Sequence, residues 1–175
     1  MTDREHELLR KKYPCIGRDV LMCQHHGTRM YNSIRDDEGR VYGWDTKLVP
    51  WERSDKKTLH YYTDERRVGA WFNSTTSREL PVVIVEDVLS ARIVNDILSC
   101  TAVSLMGTHL PEQIVDKLRG KRVAWALDGD AYRKAVEMHN KCKRYLKDSE
   151  AIRLTQDLKC FTQEELIEWG HLHVT

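Results

Sequence analysis

The stretch that decides the fold is Pro81-Val82-Val83-Ile84-Val85-Glu86-Asp87-Val88-Leu89-Ser90-Ala91. Val82-Val83-Ile84-Val85 is a β-branched apolar run of the kind a buried strand needs, and it ends on Glu86. From Val88 to Leu98 the apolar residues recur at helical spacing. A buried strand therefore delivers a carboxylate to a strand-to-helix junction. The same construction returns at Val123-Ala124-Trp125-Ala126-Leu127, which leads into Asp128-Gly129-Asp130 and a helical segment from Ala131 to about Tyr145. Alternate residues of an extended strand share a face, so Asp128 and Asp130 point the same way if the strand continues through Gly129.

Glu86, Asp128 and Asp130 would all sit at the carboxyl ends of strands, the edge where open parallel sheets bind ligands. Like charges crowded there raise one another's pKa, so the cluster calls for a bound cation or a shared proton. Oxygen ligands in this number favour Mg²⁺ or Mn²⁺, which bind one or two carboxylates and leave positions for substrate phosphates. The simpler alternative is that each acid starts a helix, where the dipole stabilises a negative charge.

Working outward, Thr101 to Met106 reads as a second buried strand ending at Gly107-Thr108. Pro111 opens a helix that carries Ile114, Val115 and Leu118 on one face and stops at Gly120. Ala151-Ile152-Arg153-Leu154-Thr155 reads as a fourth strand, followed by Asp157 in a turn. Thr162 and Glu165 form a capping box for a helix running to about Trp169. Alternation of strand and helix predicts an α/β unit: a parallel sheet with helices on both faces.

The residues before this unit read differently. Thr2 to Tyr13 form a short charged helix, expected to be peripheral. Cys15, Cys23, His25 and His26 are zinc-ligand types, but seven residues separate the two cysteines, so they read as core cysteines and surface histidines more readily than as a zinc knuckle. Residues 30–35 and 40–48 are strand-like around the turn Asp36-Asp37-Glu38-Gly39, which predicts a β-hairpin. Residues 50–67 interleave Arg53, Lys56, Lys57, Arg66 and Arg67 with Trp51, His60, Tyr61 and Tyr62, a pattern suited to holding phosphates while bases stack. Asp55, Asp64 and Glu65 oppose that charge, so a solvated surface is the plainer reading of this stretch taken alone. The small polar residues between Ser74 and Glu79 mark a hinge, which divides the chain into an N-terminal α+β subdomain, 1–78, and an α/β domain, 79–175.

Composition sets bounds. With 175 residues, 31% of them charged and 41% hydrophobic, the chain can fill one compact domain or two small subdomains sharing a core. A net charge of +1 excludes a uniformly basic nucleic-acid coat and leaves room for a local basic patch. No apolar run approaches a membrane span, and an odd count of five scattered cysteines suits reduced thiols; a cytoplasmic protein is expected. No Gly-x-x-x-x-Gly-Lys-Ser/Thr loop is present, which argues against a helicase in this chain.

These residues carry a family resemblance. Val82-Val83-Ile84-Val85-Glu86, Thr101-Ala102-Val103-Ser104-Leu105-Met106-Gly107-Thr108 and Ala126-Leu127-Asp128-Gly129-Asp130 with Arg133-Lys134-Ala135 together resemble a Toprim domain, and within that family the catalytic module of phage-type DNA primases and primase-helicases. The hairpin leading into Gly43-Trp44 is similar to the small subdomain that precedes Toprim there, so the resemblance runs from about Gly17 to the C-terminus. It implies that Glu86 serves acid-base catalysis and metal binding, that Asp128 and Asp130 hold Mg²⁺ or Mn²⁺, and that Gly107 ends the second strand. It also implies that Lys47 and Lys57 face the metal site and hold nucleotide or template. Where the family has glycine after the glutamate and an acid one turn later, this chain has Asp87 and Ser90, and the loop after the Asp-x-Asp pair is one residue short. Asp87 and Asp157 are therefore possible additional acids.

The function so implied is synthesis of short RNA primers on single-stranded DNA from nucleoside triphosphates, in a bacterial or phage-infected cell. A replicative helicase or a separate template-recognition protein would be the partner. Two other classes share the same acids: a Toprim nuclease, in which water attacks a phosphodiester, and a non-catalytic nucleic-acid-binding accessory protein of replication.

Overall fold

The computed structural model describes residues 2–16, 25–26, 29–52, 58–63, 69–74, 76 and 79–175. Its first element, α1 (Asp3–Lys12), begins with a capping box in which Thr2 accepts from the Glu5 N–H and the Glu5 carboxylate returns to the Thr2 N–H. A four-stranded antiparallel sheet follows, in the order β1 (His25–His26), β2 (Arg29–Arg35), β3 (Val41–Leu48) and β4 (Thr58–Tyr62). The hairpin turn between β2 and β3 is where the sequence places it. Asp36 accepts from the Glu38 and Arg40 N–H groups and from Arg40 Nε, and Gly39 takes the positive φ of 82° that closes the turn.

A second sheet has the order β5 (Ala70–Phe72), β7 (Ala102–Ser104), β6 (Val82–Val85), β8 (Arg122–Trp125) and β9 (Asp148–Ala151). Only the β5–β7 pairing is antiparallel; β7, β6, β8 and β9 run parallel. Ala70–Phe72 lies before the expected hinge and yet forms an edge of this sheet.

Alternate residues of β6 serve two cores, which is why the whole run is apolar. Val83 and Val85 pack with Ala102 and Ala124 against α2 (Val88–Leu98) and α5 (Gln163–His173). Val82 and Ile84 pack with Val103 and Trp125 against α3 (Glu112–Leu118) and α4 (Tyr132–Cys142). Helices thus cover both faces of the parallel strands, as the alternation of elements predicts.

Three expectations need correction. The helix α1 is not peripheral: Leu9 and Tyr13 are buried, and with Ile16 they join the core beneath α2 and α5. Its apolar stripe is short because it needs to fill one gap, not to form a core of its own. The fourth strand is Asp148–Ala151 and not residues 151–155, since pairing with the short β8 runs out at Trp125 opposite Ala151. Ile152 and Leu154 are buried beyond the ladder and carry the chain toward the carboxyl edge. Nor does the strand of the Asp-x-Asp pair continue: Gly129–Ala131 is a 3₁₀ turn, closed by Ala131 N–H donating to the Asp128 carbonyl.

Candidate functional site

Glu86 follows the last residue of β6, and the neighbouring strand fixes its backbone. Its carbonyl accepts from Ser104 Oγ at 2.9 Å and from the Gly107 N–H at 3.1 Å. Ser104 is fully buried at the end of β7, and its hydroxyl also receives the Met106 N–H at 3.0 Å. Gly107 has φ 143°, a conformation that favours glycine, so its role at the strand end is conformational.

Asp87 caps α2. Its Oδ1 accepts from the Leu89 and Ser90 N–H groups, and its Oδ2 from Ser90 Oγ at 2.8 Å. The same carboxylate meets two ammonium groups, Lys47 Nζ at 3.3 Å from β3 and Lys159 Nζ at 2.8 Å from the turn after β9. Burial raises its proton affinity, and these two cations outweigh that, holding the carboxyl well below the usual range.

Asp128 and Asp130 enter on the 3₁₀ turn after β8. Gly129 lets that turn lie against the chain leaving β9, because a Cβ there would stand 2.9 Å from the Leu154 carbonyl oxygen. Asp128 is half-buried and Asp130 exposed. Asp157, in the turn after β9, completes the group of acids at the carboxyl ends of β6, β8 and β9.

The acids feel one another. Burial, with the charges of Asp130 and Asp87 added, raises the Glu86 carboxyl above its ordinary value. Burial pushes Asp128 up to about 6: Lys159 opposes the rise, and Asp157, Asp87 and Glu86 add to it. Lys159 is the residue that sequence reasoning missed. Its Nζ lies 2.7 Å from Asp157, 2.8 Å from Asp87 and 3.7 Å from Asp128. Burial would lower its pKa, but those carboxylates outweigh burial and raise it.

The donor set fits a divalent ion. Asp87, Asp128 and Asp157 lie within 3.7 Å of the Lys159 ammonium, Asp87 also meets Lys47, and Glu86 and Asp130, which feel each other's charge, have no ion-pair partner among the described residues. Among the described residues no group of three or more His, Cys, Asp or Glu side chains is arranged to hold a metal ion. Mg²⁺ asks for less than that, binding through one or two carboxylates and completing its shell with water and phosphate oxygens.

Beside the acids lies a cavity of about 480 Å³ lined by Lys12, Tyr13, Lys47, Glu52, Asp157 and Lys159, among others. Lys47 both meets Asp87 and lines this cavity. Lys57, with Arg53, Lys56, Arg66 and Arg67, lies outside the described residues. So does Cys23; Cys15 donates its thiol to the Phe161 carbonyl at 3.1 Å.

No protein-family model and no curated protein matches the chain. Solved structures do. The zinc-binding and RNA polymerase domains of the Aquifex aeolicus primase superpose with a TM-score of 0.63 at 19% identity, over 83% of this chain and 39% of that one. A DnaG primase catalytic domain bound to single-stranded DNA gives 0.64 at 16% identity, over 83% and 50%. A DNA primase domain from Pseudomonas aeruginosa gives 0.59 at 16%, over 86% and 53%. The chain spans about half the length of these structures or less. Its mixed α/β architecture, a largely parallel sheet flanked by helices and joined to an antiparallel sheet, is the fold of the primase catalytic domain.

Proposed function

We propose that this chain is a Toprim-type, metal-dependent nucleotidyltransferase that makes short RNA primers on single-stranded DNA. The observation that carries the reading is the meeting of Glu86, Asp128 and Asp130 at one edge of a sheet with the primase fold, where their charge exceeds that of the neighbouring lysines. Glu86, Asp128 and Asp130 would hold Mg²⁺ or Mn²⁺, with Asp87 and Asp157 as outlying acids. A bound ion supplies Lewis-acid stabilisation of phosphate charge.

In the reaction the 3′-hydroxyl of one nucleotide attacks the α-phosphorus of the next, a P–O bond forms, and pyrophosphate leaves. Glu86, whose carboxyl is raised above its ordinary value by burial and by the charges of Asp130 and Asp87, suits the acceptor of the hydroxyl proton. Lys47 and Lys12, on the cavity wall, would meet the triphosphate, and Lys57 is assigned the same task from its sequence position. In this reading 1–78 faces nucleotide and template, and 79–175 carries the acids. Among the described residues no helix is long and apolar enough to cross a membrane. Work in the cytoplasm of a bacterium or phage-infected host, beside a replicative helicase or a template-recognition protein, completes the proposal.

The test is primer synthesis. Single-stranded DNA, labelled ribonucleotides and Mg²⁺ or Mn²⁺ are incubated with wild type and with Asp130→Asn. Short RNA from wild type, reduced at least ~100-fold in the variant, is expected, the size of effect that follows loss of a transition-state charge contact. Equal product from both would overturn the reading, and shortened DNA in place of new RNA would replace it with a nuclease.

A further inference from the structure

Lys159 stands where three chain segments meet. The carboxylates of Asp87, Asp128 and Asp157 follow three different parallel strands, and each lies within 3.7 Å of its Nζ. Its side chain is 12% exposed. A lysine in a turn normally extends into solvent, because removing an ammonium from water is costly unless carboxylates surround it. Here three do. Oxygen donors converging from separate strands on one positive centre are what a hard metal ion also gathers.

Compensation across the cluster is uneven. Lys47 and Lys159 attend Asp87, and Lys159 attends Asp157, whereas Glu86 and Asp130 have no ion-pair partner among the described residues. The cluster thus has a side filled by ammonium and a side left negative. Lys159 also lines the cavity together with Lys12 and Lys47, so its charge serves the acids on one flank and an incoming phosphate on the other.

We infer that Lys159 takes the place of one divalent cation in the carboxylate cluster, so that the wild-type chain binds a single divalent ion, on the side of Glu86 and Asp130. The inference rests on the reading of these acids as metal ligands and narrows it. A tethered ammonium cannot depart with product and carries half the charge of the ion it replaces. The negative charge on departing pyrophosphate is then met by fixed lysines and not by a second ion.

The experiment counts Mn²⁺ ions bound per chain, from the loss of the free Mn²⁺ resonance on titration. Wild type is expected to bind one, Lys159→Gln two, and Lys159→Arg, which keeps the charge, one. Lys159→Gln should melt below wild type in chelator and recover when Mn²⁺ is added. Two ions on wild type, or one on both wild type and Lys159→Gln, would overturn the assignment of Lys159 and leave the acids as metal ligands. No ion on either would overturn the metal reading and this inference together. Two ions on wild type overturn the assignment even if Lys159→Gln does not fold, and Lys159→Met, which keeps the apolar stem without the charge, then supplies the second count: two ions support the assignment and one overturns it.

Discussion

Lys159 donates to Asp87 across 2.8 Å, joining the turn after β9 to the first turn of α2 although the two residues are 72 positions apart. The other Asp87 oxygen caps α2 and lies 3.3 Å from Lys47 on β3. One half-buried carboxylate therefore ties the antiparallel sheet, the parallel sheet and a helix terminus together, beside the residues assigned to chemistry. Where the resembling family has glycine, this chain has built a structural anchor.

Removing that anchor should show in stability. Asp87→Ala loses a helix cap, worth about 1 kcal/mol, and leaves two cations short of a partner. Lys159 keeps Asp157, so the total cost should fall at about 2–4 kcal/mol, below the full penalty for stranding a buried charge. Asp87→Asn keeps an oxygen for the cap and should lose roughly half as much. The carboxyl titrates lower in the folded chain than in the unfolded one, so its contribution is present above an unfolded pKa of 3.8 and fades as pH falls below it. Urea unfolding at pH 7 and pH 3 should show the wild-type advantage over Asp87→Asn at the higher pH and its decline at the lower.

Asp128 has the opposite sign. Its folded pKa of about 6 lies above the unfolded 3.8, so the folded chain holds the proton more tightly and this group's contribution to stability falls as pH climbs between them. At pH 8, without divalent ions, Asp128→Asn should stabilise the protein by about 1–2 kcal/mol, or roughly 3–6 °C in melting temperature for a chain of this size. Near pH 4 the difference should vanish, and saturating Mg²⁺ at pH 8 should reverse it. A variant that melts below wild type at pH 8 in chelator would show that the crowding of charge is not real.

These two acids also show how far the sequence could be read. The strand Val82–Val85 and the helix Val88–Leu98 were legible to the residue, because a two-sided buried strand and a one-sided helix impose different periods on their apolar residues. That Glu86 follows β6 and that Asp128 and Asp130 follow β8 was legible, because each apolar run ends just before its acid. Lys159 was not. Asp157-Leu158-Lys159 has the look of any solvated turn, and burial of its ammonium exists only because three segments meet around it. The place of α1 in the core was hidden for a similar reason, since Leu9 and Tyr13 fill space that other elements define. The fourth strand was misplaced because Ile152 and Leu154 are buried beyond the last ladder pair, Trp125 with Ala151, and apolar character records burial, not the extent of a ladder.

Gly69 links the edge strand to the site. Its φ is 74°, and a Cβ would stand 2.9 Å from the Ser104 carbonyl oxygen and 2.8 Å from Ile114 Cδ1. Its own carbonyl accepts from Tyr42 Oη at 2.7 Å, which joins β3 to the start of β5. Gly69→Ala must carry left-handed strain of about 1–2 kcal/mol and displace the backbone of β7, so a loss of about 2–4 kcal/mol is expected in urea unfolding. Ser104 holds Glu86, so weaker Mn²⁺ binding should accompany the loss. A change below about 0.5 kcal/mol, the range of an ordinary surface substitution, would contradict this close approach.

Asp130 allows ion binding to be separated from folding. It is exposed on the 3₁₀ turn, has no ion-pair partner among the described residues, and raises the proton affinity of Glu86 by its charge. Replacing it with Asn removes no buried contact, so the melting temperature in chelator should stay within about 2 °C of wild type, the span of a surface substitution. The Glu86 carboxyl should titrate lower in the variant, because a neighbouring negative charge has gone. Mn²⁺ affinity should fall at least ~10-fold, since a carboxylate ligand is lost and the cluster becomes less negative. Unchanged affinity in a well-folded Asp130→Asn would move the ion away from Glu86 and toward Asp157, where Lys159 already stands.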